Sequence, residues 1–456
     1  MSSDASLNPI NEVEQTYEGF SSQGLIQLEH QFGAHNYHPL PVVFHRALGC
    51  KVWDPEGKKY IDCLSAYSAV NQGHCHPKII KALIDQASKL TLASRAFHSS
   101  LLGPYLKTLT TQFGYQKALP MNTGVEAVET ALKLARKWAY VKKGVPEGKA
   151  IIISAEGNFH GRTLGVIGMS TDPDSRNSFG PFLETINSTC PISPKNSSET
   201  RLIHYNHLED LERALHVHGN HTAAVLLEPI QGEAGVVVPD DDYLPRVKAL
   251  CEQYNVLLIL DEVQTGLGRT GKLLCQQHSN VRADIITLGK ALSGGFYPVS
   301  AVLTDDHVME VIKPGEHGST FGGNPLGCAI AMAALDVLIE ENLCARAERM
   351  GELMRNGLEK LKQIGPSGQG TQGYIQVVRG KGLLNAIVID PSLSPKKRGA
   401  WELCLLMKSR GVLAKPTHSN IIRLAPPLVI EAEEVEQVIE VIGQCLRDLD
   451  QLDQLP

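Results

Sequence analysis

The chain has 456 residues, 43% hydrophobic and 20% charged, with a formal net charge of −6. At roughly 150 residues per domain this length implies two or three domains, and the mildly acidic balance argues against non-specific nucleic-acid binding, which needs basic patches. No apolar run approaches the ~18 residues of a membrane helix, so no membrane partner is expected.

Residues 1–20 carry Asp4, Glu12, Glu14 and Glu18, and no Lys or Arg precedes Arg46. Such a start lacks the cationic and apolar regions of a signal peptide and is the reverse of an Arg-rich transit peptide. The final Gln454-Leu455-Pro456 matches no retention or peroxisomal signal. A cytoplasmic location is therefore expected. The ten cysteines form no C-x-x-C pair, as suits buried, reduced thiols. His74-Cys75-His76 offers two metal ligands, but no third or fourth stands at suitable spacing. Turn and packing roles before Pro77 are expected, and no metal.

Further along, Val128, Ala131, Leu132, Ala135 and Trp138 recur at helical spacing, which predicts a helix over Val125–Tyr140. Short runs apolar on both faces predict strands at Ala150–Ser154, Ala223–Leu227, Val256–Leu260, Asp284–Leu288 and Val299–Leu303. Strands alternating with helices imply an α/β fold around a mostly parallel sheet. The polar stretch Asn187–Thr200 reads as a surface loop. Glu341–Ile364 reads as a helix opening a C-terminal domain, and Gly365–Gly373 as a flexible connection. The expected division is an N-terminal segment (1–77), a large domain (78–342) and a small domain (343–456).

Asp261-Glu262-Val263-Gln264 follows a predicted strand, where open α/β sheets place ligands. A carboxylate there can hold a ring nitrogen protonated and make a pyridine an electron sink. Alone, it reads as readily as a helix cap. One strand later, Lys290 lies in Gly289-Lys290-Ala291-Leu292-Ser293-Gly294-Gly295. Small neighbours leave room for an aldehyde on its amine, and desolvation would lower its pKa; taken singly, it is an ordinary loop lysine. The two together point to pyridoxal 5′-phosphate (PLP). Met121-Asn122-Thr123-Gly124-Val125 opens the helix, where free N–H groups suit a phosphate. His317-Gly318-Ser319-Thr320 is a second glycine-rich turn. In Asn158-Phe159-His160-Gly161-Arg162, Phe159 could stack on a ring and Arg162 hold a carboxylate, or the two are core and surface residues.

These motifs resemble those of the class III aminotransferases among the fold-type I PLP enzymes. Longer stretches extend the resemblance from about Gly33 to Ile430, including Tyr67-Ser68-Ala69-Val70-Asn71-Gln72-Gly73-His74, Glu228-Pro229-Ile230-Gln231-Gly232-Glu233 and Arg423-Leu424-Ala425-Pro426-Pro427. They are most similar to members that transfer the δ-amino group of L-ornithine to 2-oxoglutarate. The resemblance implies a large domain with a mostly parallel sheet flanked by helices, a smaller α+β C-terminal domain, a PLP cofactor and a homodimer or higher homo-oligomer. It implies that Lys290 forms the Schiff base and moves the proton, that Asp261 pairs with the ring nitrogen, and that Gln264 meets the ring hydroxyl. Phe159 and Val263 would sandwich the ring. Gly124 and Val125 would bind the phosphate, joined by Thr320 from the partner subunit. Tyr37, Tyr67 and Arg162 would hold substrate, with Glu233 and Arg423 as a specificity pair. His160 stands where some members carry Trp, which would alter the pocket wall. Acetylornithine or γ-aminobutyrate aminotransferase, an aminomutase and an inactive binding protein are the competing readings; Tyr37 and Tyr67 favour ornithine, since a phenol can bond its α-amino group.

Overall fold

The computed structural model describes residues 21–193, 196–366, 368–369 and 372–455. The acidic residues 1–20, on which the expected location rests, lie outside them.

Three short strands open the fold: β1 (Arg46–Leu48), β2 (Lys51–Trp53) and β3 (Lys59–Asp62). They form an antiparallel ladder that a strand from late in the chain extends (see below). The central sheet has seven strands: β4 (Lys117–Met121), β5 (Ile151–Ile153), β6 (Ile186–Asn187), β9 (Thr222–Leu227), β10 (Leu257–Asp261), β11 (Ile285–Leu288) and β12 (Ser300–Thr304). Their order is β4-β12-β11-β10-β9-β5-β6. Only β12 runs against its neighbours; the remaining ladders are parallel. All five strands expected from the sequence lie in this sheet.

Side chains alternate between the two faces of a strand, and here both faces are covered. Leu257 and Ile259 of β10 pack with Ala127, Ala131 and Ala135 of helix Gly124–Trp138. Leu258 and Leu260 join the opposite core, shared with Ile330 and Ala334 of helix Pro325–Glu340. This is why these strands read as unbroken apolar runs.

Between β6 and β9, the segment expected as a loop is a β-hairpin. β7 (Thr189–Ser193) and β8 (Asn196–Leu202) pair antiparallel, with Thr189 opposite Leu202. Its polar composition signals exposure, and pairing satisfies its backbone groups as well as water would; Pro191 is tolerated because neither strand is interior to a larger sheet. The Gly365–Gly373 connection likewise contains a short hairpin of β13 (Ile364–Gly365) and β14 (Gly368–Gln369).

The C-terminal part carries helix Leu343–Leu361 and a four-stranded antiparallel sheet. Its strands are β15 (Ile375–Lys381), β16 (Leu384–Ile389), β18 (Lys415–Thr417) and β19 (Ile421–Leu424), in the order β15-β16-β19-β18. β17 (Val412–Leu413) leaves this region to pair parallel with β3. Cys50, Cys63, Cys251, Cys275, Cys328, Cys404 and Cys445 are unpaired and buried; Cys75 and Cys344 are unpaired and at least partly exposed. His76 caps helix Pro77–Ala87 by accepting the Lys78 N–H at 3.3 Å. His74 Nε2 meets Asp62 Oδ2 at 2.8 Å.

Candidate active site

Parallel strands place their C-terminal ends on one rim: Asp261 is the last residue of β10, Glu228 directly follows β9, and Lys290 comes two residues after β11. Asp261 is 5% exposed. Its Oδ1 accepts the Thr287 hydroxyl at 3.0 Å and the Val263 N–H at 3.1 Å; Oδ2 faces His160 Nδ1 at 2.8 Å. The carboxylate is thus held on three sides. His160 does not act as a pocket wall alone: it is buried against Asp261, with Ser154 Oγ 3.4 Å from its other nitrogen. Glu228 accepts the N–H groups of Phe159 at 3.0 Å and Gly232 at 3.1 Å. Burial pushes Glu228 up to about 7; His160 opposes this and Asp261 adds to it.

Lys290 follows β11 with φ 45°, a conformation left-handed for an L residue. Burial lowers its pKa, with Glu233 pulling the other way and Arg423 adding to the depression. Burial thus works against the charged form of this amine.

Helix Gly124–Trp138 starts beside this rim. Thr123 Oγ1 accepts the Glu126 N–H, while the Glu126 carboxylate accepts those of Asn122 and Thr123, each at 2.8 Å. This capping box leaves the N–H groups of Gly124 and Val125 at the open helix end, where an anion is stabilised. Gly161 closes the approach: at φ 114°, any Cβ there would lie 2.3 Å from Val125 Cγ2.

Gly124, Val125, Phe159, Asp261, Val263, Gln264, Glu233 and Lys290 line one cavity of about 190 Å³. Gln264 donates to Glu233 Oε1 at 3.2 Å, but its own Oε1 is buried without a partner. An open N–H pair, a fixed carboxylate, a depressed lysine and an orphaned amide oxygen fit PLP: phosphate, ring nitrogen, aldehyde and ring hydroxyl each have a counterpart.

The residues expected to hold substrate come from further apart. Arg162 lines an adjoining cleft of about 670 Å³ that shares Phe159 and Glu233 with the first. Tyr37 and Tyr67 border a third space of about 370 Å³ with Lys415. Arg423 Nη1 donates to Glu233 Oε1 at 2.5 Å, and its guanidinium lies 5.0 Å from the centre of the Tyr67 ring. Arg423 is 4% exposed, yet its Nε has no partner. Burial raises the Glu233 pKa, but Arg423, Lys290 and Gln264 outweigh that and hold it low. Tyr67 itself lies in a turn where Ser65, Ala66, Tyr67 and Ser68 all have positive φ, at a cost of roughly 1–2 kcal/mol per residue. Thr320 alone stands apart in this chain, exposed on a turn whose Ser319 accepts the Asn122 amide at 2.9 Å.

Two features of this constellation escaped the sequence reading: Glu228 at the rim and the contact of His160 with Asp261. Glu228 directly follows β9, as Asp261 follows the strand expected at Val256–Leu260, so the strand-end rule would have found it. The bond from His160 to Asp261 spans 101 residues and leaves no local trace.

The aminotransferase class-III family model matches residues 32–446. Ornithine aminotransferase of Emericella nidulans is 55% identical, the match covering 98% of this chain and 94% of that one. The crystal structure of ornithine aminotransferase from Toxoplasma gondii superposes with a TM-score of 0.89 at 41% identity, covering 97% of this chain and 99% of that one. Acetylornithine aminotransferase from Elizabethkingia anophelis superposes at 0.80 with 52% identity, covering 94% and 99%. A match of this extent, to a family whose chemistry the strand-end acid, the depressed lysine and the open helix start all suit, makes the chain a member of the class-III aminotransferase family.

Proposed function

We propose that this chain is a PLP-dependent ornithine δ-aminotransferase. It moves the δ-amino group of L-ornithine to 2-oxoglutarate, yielding L-glutamate and glutamate 5-semialdehyde, which cyclises to pyrroline-5-carboxylate. One observation carries the substrate choice: the Glu233–Arg423 pair, in which a buried arginine is neutralised by a single bond while its Nε stays free.

Bound PLP supplies an electron sink for the carbanion left when the substrate loses a proton. In this reading Lys290 holds the cofactor and its depressed amine carries the proton away from ornithine Cδ or glutamate Cα. Asp261, fixed by Thr287, Val263 and His160, keeps the ring nitrogen cationic. Gly124 and Val125 hold the phosphate, Gln264 the ring hydroxyl, and Phe159 and Val263 the ring faces. Tyr37, Tyr67 and Arg162 hold the α-amino and α-carboxylate groups of ornithine, which presents its δ-nitrogen to the reacting centre. Glu233 masks Arg423 during that half-reaction, so the arginine does not draw the α-carboxylate inward. When a dicarboxylic acid enters, Glu233 moves aside and Arg423 binds the α-carboxylate.

A homodimer is part of the proposal, with Thr320 reaching the neighbouring phosphate. Phe97 and Phe321, 75% and 48% exposed, support it as apolar surface a partner would cover. Among the described residues no helix is long and apolar enough to cross a membrane. The deciding experiment is a substrate panel with 2-oxoglutarate as acceptor. Ornithine should exceed N-acetylornithine and γ-aminobutyrate in kcat/KM; a preference for N-acetylornithine would reassign the enzyme to the chemistry of its Elizabethkingia neighbour.

A further inference from the structure

Tyr67 stands on backbone that L residues rarely adopt. Ser65, Ala66, Tyr67 and Ser68 have φ values of 46°, 48°, 60° and 71° in succession, with no glycine among them. Such a run persists only where its surroundings over-determine it. Asp62 Oδ1 accepts the N–H groups of Leu64 at 2.8 Å and Ser65 at 2.9 Å. Ser65 Oγ donates to the Ala425 carbonyl at 2.6 Å and accepts from Arg269 Nη2 at 3.1 Å.

Arg269 is fully buried, and among the described residues no carboxylate bonds to it, although the charge of Asp62 is felt there. All five of its N–H donors are nonetheless used. Nε and Nη2 reach Asn71 Oδ1 at 3.2 and 2.6 Å, Nη2 also reaches Ser65, and Nη1 reaches the carbonyls of Leu383 at 3.0 Å and Pro426 at 2.6 Å. Neutralising a buried charge would call for a carboxylate. A planar fork whose acceptors come from the N-terminal turn and from two places in the C-terminal part is a clamp. Ala425 and Pro426 directly follow β19, which carries Arg423, so the clamp fixes both sides of the contact between Arg423 and the Tyr67 ring.

We propose that Arg269 and Ser65 are positioning residues for substrate recognition: they lock the left-handed turn 65–68 in register with residues 423–426, so that Tyr67 and Arg423 face the substrate as one rigid unit. The inference rests on the reading of Tyr67 as a substrate-binding group. The test uses the holoenzyme and the variants Ser65→Ala, Ala66→Gly and Arg269→Lys, each alone and combined with Tyr67→Ala. The readouts are the apparent dissociation constant for ornithine in the single-turnover half-reaction and the Tm. Ala66→Gly places a glycine where φ is positive and so keeps the fold, which protects the test should Arg269→Lys fail to fold. With Tyr67 present, Ser65→Ala and Ala66→Gly should weaken ornithine binding by about 5- to 10-fold. In the Tyr67→Ala background they should weaken it no further, since no phenol remains to be misplaced. Equal weakening in both backgrounds, or none with Tyr67 present, would overturn the proposal alone. Unchanged ornithine binding in Tyr67→Ala itself would overturn the substrate role of Tyr67 and this inference with it.

Discussion

Asp261 and Lys290 stand at the ends of adjacent parallel strands, where the ladder pairs Asp261 with Thr287 and fixes both backbones. Tyr67, Glu233 and Arg423 stand on a left-handed turn, a loop and a strand of the C-terminal sheet, and meet only through side chains. The cofactor end is thus preorganised by the sheet itself. The substrate end is assembled from three remote pieces, and its central ion pair is 28% exposed on the glutamate side. A fixed end suits chemistry that is the same in both half-reactions; an assembled end with one separable pair suits two substrates of opposite demand.

Four sets of variants sharpen or break this contrast. Lys290→Ala removes both the attachment and the proton carrier, and turnover should fall by at least about 10⁴-fold while the protein still binds PLP, as read by absorbance and steady-state assay. Retained turnover would move the chemistry to another residue. Asp261→Ala should slow proton abstraction by roughly 10²–10⁴-fold in both half-reactions alike, measured by single-turnover absorbance; near-normal rates would reduce Asp261 to a backbone cap for Val263.

At the other end the losses should be unequal. Arg423→Ala should slow the 2-oxoglutarate half-reaction by about 10²-fold through loss of a charge-assisted contact, with a much smaller effect on ornithine. Glu233→Ala should weaken δ-transfer from ornithine, permit reaction at α-amino groups and leave the glutamate half-reaction in place. Equal losses for both substrates in both variants would make the pair a static salt bridge.

The smallest effect concerns stability. Glu228 is raised from an ordinary 4.5 to about 7 by burial, so between those values the folded chain holds a proton that the unfolded chain releases. Stability contributed by this group is present at low pH and is lost as pH rises from about 4.5 to about 7. Glu228→Gln should therefore gain on the wild type by a few degrees of Tm between pH 5 and pH 8. A constant difference across that range would mean that Glu228 is already charged in the fold.

The same contrast governs what could be read in advance. The acid after β10, the lysine after β11 and the helix opening at Gly124 are contiguous motifs tied to a local periodicity, so the cofactor end was legible from the residues themselves. At the substrate end Arg162 was suggested by its own motif, but Tyr37, Tyr67, Glu233 and Arg423 were named only through resemblance, because nothing in the sequence around Glu233 points to Arg423. The Asn187–Thr200 stretch misled for a related reason: a polar, turn-rich composition is as compatible with a paired hairpin as with a loop.

Five strands, the helix that packs on them and the class of the fold follow from the sequence alone, since apolar runs and helical spacing are properties of neighbours. The tertiary structure alone decides that β12 runs backwards in the sheet, that β17 joins the N-terminal ladder, that His160 braces Asp261 and that Arg269 clamps the turn carrying Tyr67. The last three depend on where residues a hundred or more positions apart come to lie, and a side chain buried against a distant partner leaves no periodic signal in its own segment; the direction of β12 depends on how its short connection from β11 turns.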